Sequence, residues 1–187
     1  MYKNILGVMI MKKRNIMIML TVLIICLPII LSNNVANAYV ISDWKKQSRP
    51  KGLLYNIHSS VSNAGFSSYA SNGAKAWNAS SKIEFVGTSS QPGLSDVYFT
   101  FSNVTTDDYA TAYGSKSSSQ VRITFWKDFK GLSATRKTET AVHEVGHALG
   151  LDHTQKANNS ISVMRKTGFN DKKTPLSDDW AGINKIY

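Results

Sequence analysis

The residues able to do chemistry are concentrated in one stretch, His143-Glu144-Val145-Gly146-His147-Ala148-Leu149-Gly150-Leu151-Asp152-His153. On a helix, residues four apart lie on one face, one turn above the other, so His143 and His147 turn their rings to the same side and can hold one metal ion. Glu144 follows His143 directly. It lies beside the metal without being its obvious ligand, where it can take a proton from water. Gly150 lets the chain leave the helix, because glycine adopts left-handed conformations at no steric cost. Three residues later His153 can return as the third ligand. Three protein ligands leave the fourth tetrahedral position open, the catalytic rather than the structural zinc pattern. A bare H-E-x-x-H arises by chance on solvated helices. Independent draws at this composition meet all five fixed positions with a probability of about two in a million. Three of the 4 histidines in the chain are used here.

Such a site needs elements to carry it. Residues 53–57, 83–86, 96–101, 109–113 and 121–126 read as five strands from their β-branched and aromatic content. Residues 67–79 read as a helix, with Ser67 or Ser68 as its cap. Ser133 or Thr135 caps a second helix that runs through Val142 and Val145 to Leu149 and carries the first two histidines. Ser177 caps a last helix, with Asp178 and Asp179 in its first turn, where the helix dipole favours carboxylates, and Trp180, Ile183 and Ile186 on its apolar face. Residues 41–52 are polar and basic and read as irregular. Residues 87–93, 115–119 and 155–162 read as loops, and Val163-Met164 is a brief apolar island after the last of them. His58 reads as a strand-end side chain, because the metal already has its three ligands. The order strand, helix, strands, helix, helix specifies an α+β domain built on one mixed sheet.

The N-terminus reads differently. Lys12, Lys13 and Arg14 precede an apolar run over residues 16–31, broken by Thr21 and Pro28, and Ala36-Asn37-Ala38 follows. This is the pattern of a secretory signal peptide, residues 1–38, cleaved after Ala38, with Met11 as an alternative start. A retained membrane anchor is the rival reading, but the run is short for a span and Pro28 interrupts it. Ile25 before Cys26 argues against lipidation. Residues 39–187 then form one domain, without cysteine, stabilised by packing and metal rather than disulfides. Removing Lys3, Lys12, Lys13 and Arg14 lowers the formal charge from +10 to about +6. The excess is scattered, as a solvated surface and not a nucleic-acid footprint.

Residues 39–187 resemble the metzincin zinc endopeptidases, and among them the matrixins. The H-E-V-G-H-A-L-G-L-D-H run looks like the family's zinc motif, Thr154 follows it as Ser or Thr does there, and Met164 in Ser162-Val163-Met164 looks like the methionine of the Met-turn under the metal. Ala76-Trp77-Asn78, Asp96-Val97 and the closing 176–183 appear in matching order. The resemblance implies a zincin-like catalytic domain: a twisted, mixed five-stranded sheet with about three helices. It also implies that Asp178 and Asp179 tie the last helix to the Met-turn region. The departures are specific. The loop 102–108 lacks histidine and Thr111 stands where a ligand of the family's second zinc is expected, so one zinc is expected. Residues 39–187 contain no cysteine to hold the enzyme latent. The Met-turn continues Arg-Lys-Thr-Gly-Phe without the family's Pro-x-Tyr wall, with Phe169 as the substitute. No tyrosine stands two residues after Met164, so no fifth ligand of the astacin kind is expected. Calcium is common in the family; Asp107, Asp108 and Asp128 offer oxygen donors, though their spacing forms no recognised loop.

These readings lead to a secreted zinc endopeptidase acting on proteins or peptides. His143, His147 and His153 are its ligands, Glu144 its general base and Met164 the support. The substrate lies extended along the edge strand 109–113, with no nucleic-acid partner and no stable membrane association after signal cleavage. The alternative is a vestigial zinc-binding or interaction module, suggested by the missing latency device and the altered wall; an intact Glu144 argues against it.

Overall fold

Alternating burial along Val97–Phe101 and Val121–Phe125 places Val97, Phe99, Val121, Ile123 and Phe125 in one core and defines the middle of a sheet. The computed structural model describes residues 39–187; residues 1–38, expected as a signal peptide, lie outside the described residues. The strands are β1 (Val40–Ile41), β2 (Leu53–Ile57), β3 (Phe85–Thr88), β4 (Val97–Phe101), β5 (Ala110–Tyr113), β6 (Val121–Phe125) and β7 (Leu151–Asp152). Five of them form a mixed sheet in the order β3-β2-β4-β6-β5, and β1 pairs with β7 apart from it. Within the sheet only β5 runs antiparallel to its neighbour, and it forms an edge.

Three main helices complete the α+β architecture: α2 (Ser67–Lys75), α3 (Ala134–Ala148) and α4 (Ser177–Ile186), with a short α1 (Ser59–Asn63) before them. Helix α3 carries His143 and His147. Its backbone lies so close to α2 that a Cβ on Gly73 would fall 2.6 Å from Ala141 Cβ. Trp77 is fully buried, donates its Nε1–H to Val142 O at 3.1 Å and meets Trp180 edge-on at 5.5 Å, so it ties α3 and α4 together. Among the described residues, no helix is long and apolar enough to cross a membrane.

Several local expectations are corrected. Ser133 is the cap of α3, accepting Arg136 N–H at 3.3 Å, but neither Ser67 nor Ser68 caps α2. Phe66 holds that position, and Ser67 already lies in the first turn with its hydroxyl bonded to Ser62. Leu176, not Ser177, caps α4; it has no side-chain acceptor, and the Asp179 carboxylate accepts its backbone N–H at 2.7 Å instead. The second sheet strand in the sequence begins at Phe85 rather than 83 and takes in Gly87 and Thr88, expected as loop. The Asn78 side chain brackets Phe85 by accepting its N–H and donating to its carbonyl, which sets where pairing starts. Residues 156–161 wind into a 3-10 turn. The segment read as irregular, 41–52, begins as part of β1, which pairs Val40 with Asp152 and Ile41 with Leu151.

Candidate metal centre

Helix α3 delivers His143 and His147 on one face, with ring centroids 4.8 Å apart. Gly150 then adopts φ 98°, and the chain reverses into β7 and brings back His153. The His153 ring lies 5.3 Å from that of His143 and 4.8 Å from that of His147. One nitrogen from each ring lies within 4.8 Å of the others. Backbone carbonyls fix the tautomers: His143 Nδ1 donates to Val163 O at 2.7 Å and His147 Nδ1 to Leu151 O at 2.9 Å. That leaves the two Nε2 lone pairs facing each other at 3.1 Å. A metal ion held by both would relieve the repulsion of two acceptors that close. Ligands about 2.0–2.1 Å from a tetrahedral zinc stand about 3.4 Å apart, so the donor set fits zinc in type and number, and the His143–His147 pair comes near that spacing.

The electrostatics favour ligation. Desolvation pushes His143 down to about 3 and His147 down to about 4, and lowers His153 as well. All three rings are therefore neutral, the form that binds a metal. Glu144 is buried beside them, and desolvation pushes its carboxyl up to about 8, partly offset by the Ala112 backbone N–H. A divalent cation at the three imidazoles would counter that burial and favour the carboxylate.

The supports converge from below. Met164 is buried, and a Cβ on Gly146 would come within 2.3 Å of its sulfur, so the thioether lies directly against the glycine between the two helical histidines. Thr154 N–H bonds Met164 O at 2.8 Å, joining the turn of the third histidine to the turn of the methionine. Asp178 accepts Thr154 Oγ1–H at 2.6 Å, and Asp179 accepts Ser162 Oγ–H and Val163 N–H.

The metal site opens into a cleft of about 540 Å³. Its floor is α3 and one side is β5. Tyr109 O accepts Trp126 N–H at 2.9 Å, so in an antiparallel ladder Ala110 and Ala112 turn their N–H and C=O away from β6 and toward the cleft. Phe169 stands at the N-terminal end of β5, 5.7 Å from the Tyr109 ring, and lines the cleft. Asp107 and Asp108 also line it, while Asp128 lies in a second depression with Arg136 and Asp171. Among the described residues, these three aspartates do not gather into a metal-holding group. His58 ends β2 and caps α1 through Nδ1 at 3.2 Å from Ser60 N.

Two contributors escaped the sequence reading. Trp44 lines the cleft with its ring 6.3 Å from His147; the signal was a lone tryptophan in a polar, basic segment. Glu139 lines it too, one turn before His143; nothing in its local sequence marks it out.

Residues 125–187, a third of the chain from the end of β6 to the C-terminus, match the family model of the matrixin peptidases. No curated protein matches the chain. The match takes in α3, all three histidines, Met164 and α4, and leaves β1 to β5 outside it.

Proposed function

On the premise that this chain carries a matrixin metalloendopeptidase domain with its histidine triad intact, we propose that it is a secreted, single-zinc endopeptidase in which Glu144 is the general base. The carrying observation is the triad of neutral imidazoles with a buried carboxylate next in sequence to the first. His143, His147 and His153 would hold zinc, which supplies Lewis acidity toward the scissile carbonyl and acidifies water. Glu144 accepts the proton of the attacking water and delivers it to the leaving amine. The outward N–H and C=O of Ala110 and the C=O of Ala112, whose N–H is bonded to Glu144, pair with an extended substrate and would orient its scissile bond toward the three histidines. Met164 backs the ligand helix, and the Asp178 and Asp179 bonds hold Met164 in place. The basic n-region, apolar run and Ala36-Asn37-Ala38 support export with cleavage after Ala38; N-terminal sequencing of the exported protein starting anywhere but Tyr39 would refute that site.

The test is peptide hydrolysis by the purified protein with and without a zinc chelator, alongside Glu144→Ala. Hydrolysis should require metal, and the variant should keep its zinc while kcat drops by at least about 10²–10⁴. A variant that turns over at the wild-type rate would remove Glu144 from the mechanism. Metal binding without hydrolysis by the wild type would favour the interaction-module reading.

A further inference from the structure

Resting on the peptidase reading, we propose that Trp44 is a specificity-determining residue: its indole walls a subsite that takes an apolar or aromatic side chain from the N-terminal side of the scissile bond. Trp44 belongs to a strap, residues 40–47, that crosses one end of the cleft. Each end of the strap is tied down. Val40 and Ile41 pair with β7, and Ser42 N–H bonds Gly150 O at 2.9 Å. The Lys46 ammonium bonds Ser42 O, Ser42 Oγ and, at 3.2 Å, Gly150 O. Gln47 Nε2 spans Ala148 O and Ser119 O at 3.1 and 2.7 Å. Lys45 N–H bonds Ser115 O at 2.8 Å. The strap therefore joins the end of the metal-bearing helix to the loop after β5, and it holds Trp44 between them.

The indole lies flat enough on Gly114 that a Cβ there would fall 2.3 Å from Trp44 Cε3. Its other surface faces the cleft, tilted 56° to the His147 ring, and the residue is half-buried. Asp43, which also lines the cleft, is bound to Lys116 at 2.7 Å, and Lys46 is spent on carbonyls. The group offered to a substrate is thus a rigid aromatic face, the kind of anchor that carries binding energy. Direction follows from β5. Antiparallel pairing is the more stable per residue, and a substrate antiparallel to β5 runs its N-terminal part toward Gly114 and Trp44. Its C-terminal part runs toward Tyr109 and Phe169. The cleft therefore has an aromatic wall at each end of β5, built by segments far apart in sequence.

The experiment is kcat/KM of the protein, expressed as the full chain, on a peptide library varied at the three residues before and the three after the cleaved bond. The wild type should prefer Phe or Leu over Asp by about ten- to a hundredfold at one position before the bond. Trp44→Ala should bring that ratio close to one, Trp44→Phe should keep most of it, and the profile after the bond should not change. Each preference is a ratio within one sample, so an unfolded fraction cancels. An unaltered preference before the bond in Trp44→Ala, or a change confined to positions after it, overturns the assignment of Trp44 alone. A wild type that cleaves nothing in the library overturns the peptidase reading and this inference with it.

Discussion

The Glu139 carboxylate accepts the backbone N–H of Asn170 at 2.6 Å. Its second oxygen takes Lys172 N–H at 3.2 Å. Glu139 lies one turn before His143 on α3, so the helix that presents His143 and His147 also holds the segment after Met164. The segment is tied further by Asn170 Nδ2, which donates to Asn159 O and Ser162 O, and by Arg165 Nη1, which donates to Phe169 O and Asn170 Oδ1. Phe169, which lines the cleft, is therefore held in position from α3.

Glu139→Ala should loosen that hold. It removes an acceptor shared by two backbone N–H groups, a change costing about 1–3 kcal/mol. Urea denaturation should show that loss. A peptide library should show relaxed selectivity at the position after the scissile bond, with zinc content at the wild-type level. Unchanged stability together with unchanged selectivity would mean that the Arg165 and Asn170 bonds hold the loop by themselves.

Gly146→Ala tests the methionine packed against the histidine-bearing helix. In an exposed helix interior the change from glycine to alanine stabilises by about 1 kcal/mol. Here the new methyl would meet Met164 Sδ at 2.3 Å and Trp77 Cζ2 at 3.0 Å. Overpacking of a tight core costs about 1–3 kcal/mol and outweighs the propensity gain. We expect a net loss in melting stability and weaker zinc retention in a chelator competition. A stabilised variant with native zinc affinity would show that Met164 has room to move aside.

Asp179 should be the costlier of the two aspartates to lose. It is fully buried and accepts from Ser162 Oγ, Val163 N and Leu176 N. Asp179→Asn puts an amide donor among these donors. The expected cost is about 3 kcal/mol. Asp178→Asn, whose partners include the Thr154 hydroxyl and the Asn158 side-chain amide, groups that can both donate and accept, should cost less. Equal midpoints for the two variants in urea would contradict this ranking.

What was legible in the sequence is what depends on local periodicity. Histidines four apart share a helix face wherever the helix docks, Gly150 reverses the chain by its own conformational freedom, and β-branched and aromatic runs marked the five sheet strands to within a few residues. What was not legible depends on docking. Trp44 meets the cleft only because Lys45 bonds Ser115 and Gln47 bonds Ala148, partners 70 and 101 residues away. Glu139 reads as one more polar helix residue until Asn170, 31 residues on, is brought against it. Leu176 displaced Ser177 as the cap of α4 because a carboxylate inside the helix, Asp179, did the capping from the other direction.

Glu139 also gives a pH dependence with a definite sign. Burial raises its carboxyl above the ordinary glutamate value, with the N–H groups of Asn170 and Lys172 pulling the other way. The folded chain thus holds this proton more tightly than the unfolded chain, where the pKa is about 4.3. Between the two values the native state binds more protons than the unfolded state, so stability falls as pH rises. The contribution is complete below the unfolded value and is lost as pH climbs through the folded one. Glu139→Gln removes the titration. Urea midpoints measured for both proteins at a series of pH values should therefore show the wild-type advantage shrinking upward from about pH 4 and levelling above the raised pKa. An advantage that grows over the same window would mean that the two backbone donors outweigh burial and that Glu139 is held as a carboxylate.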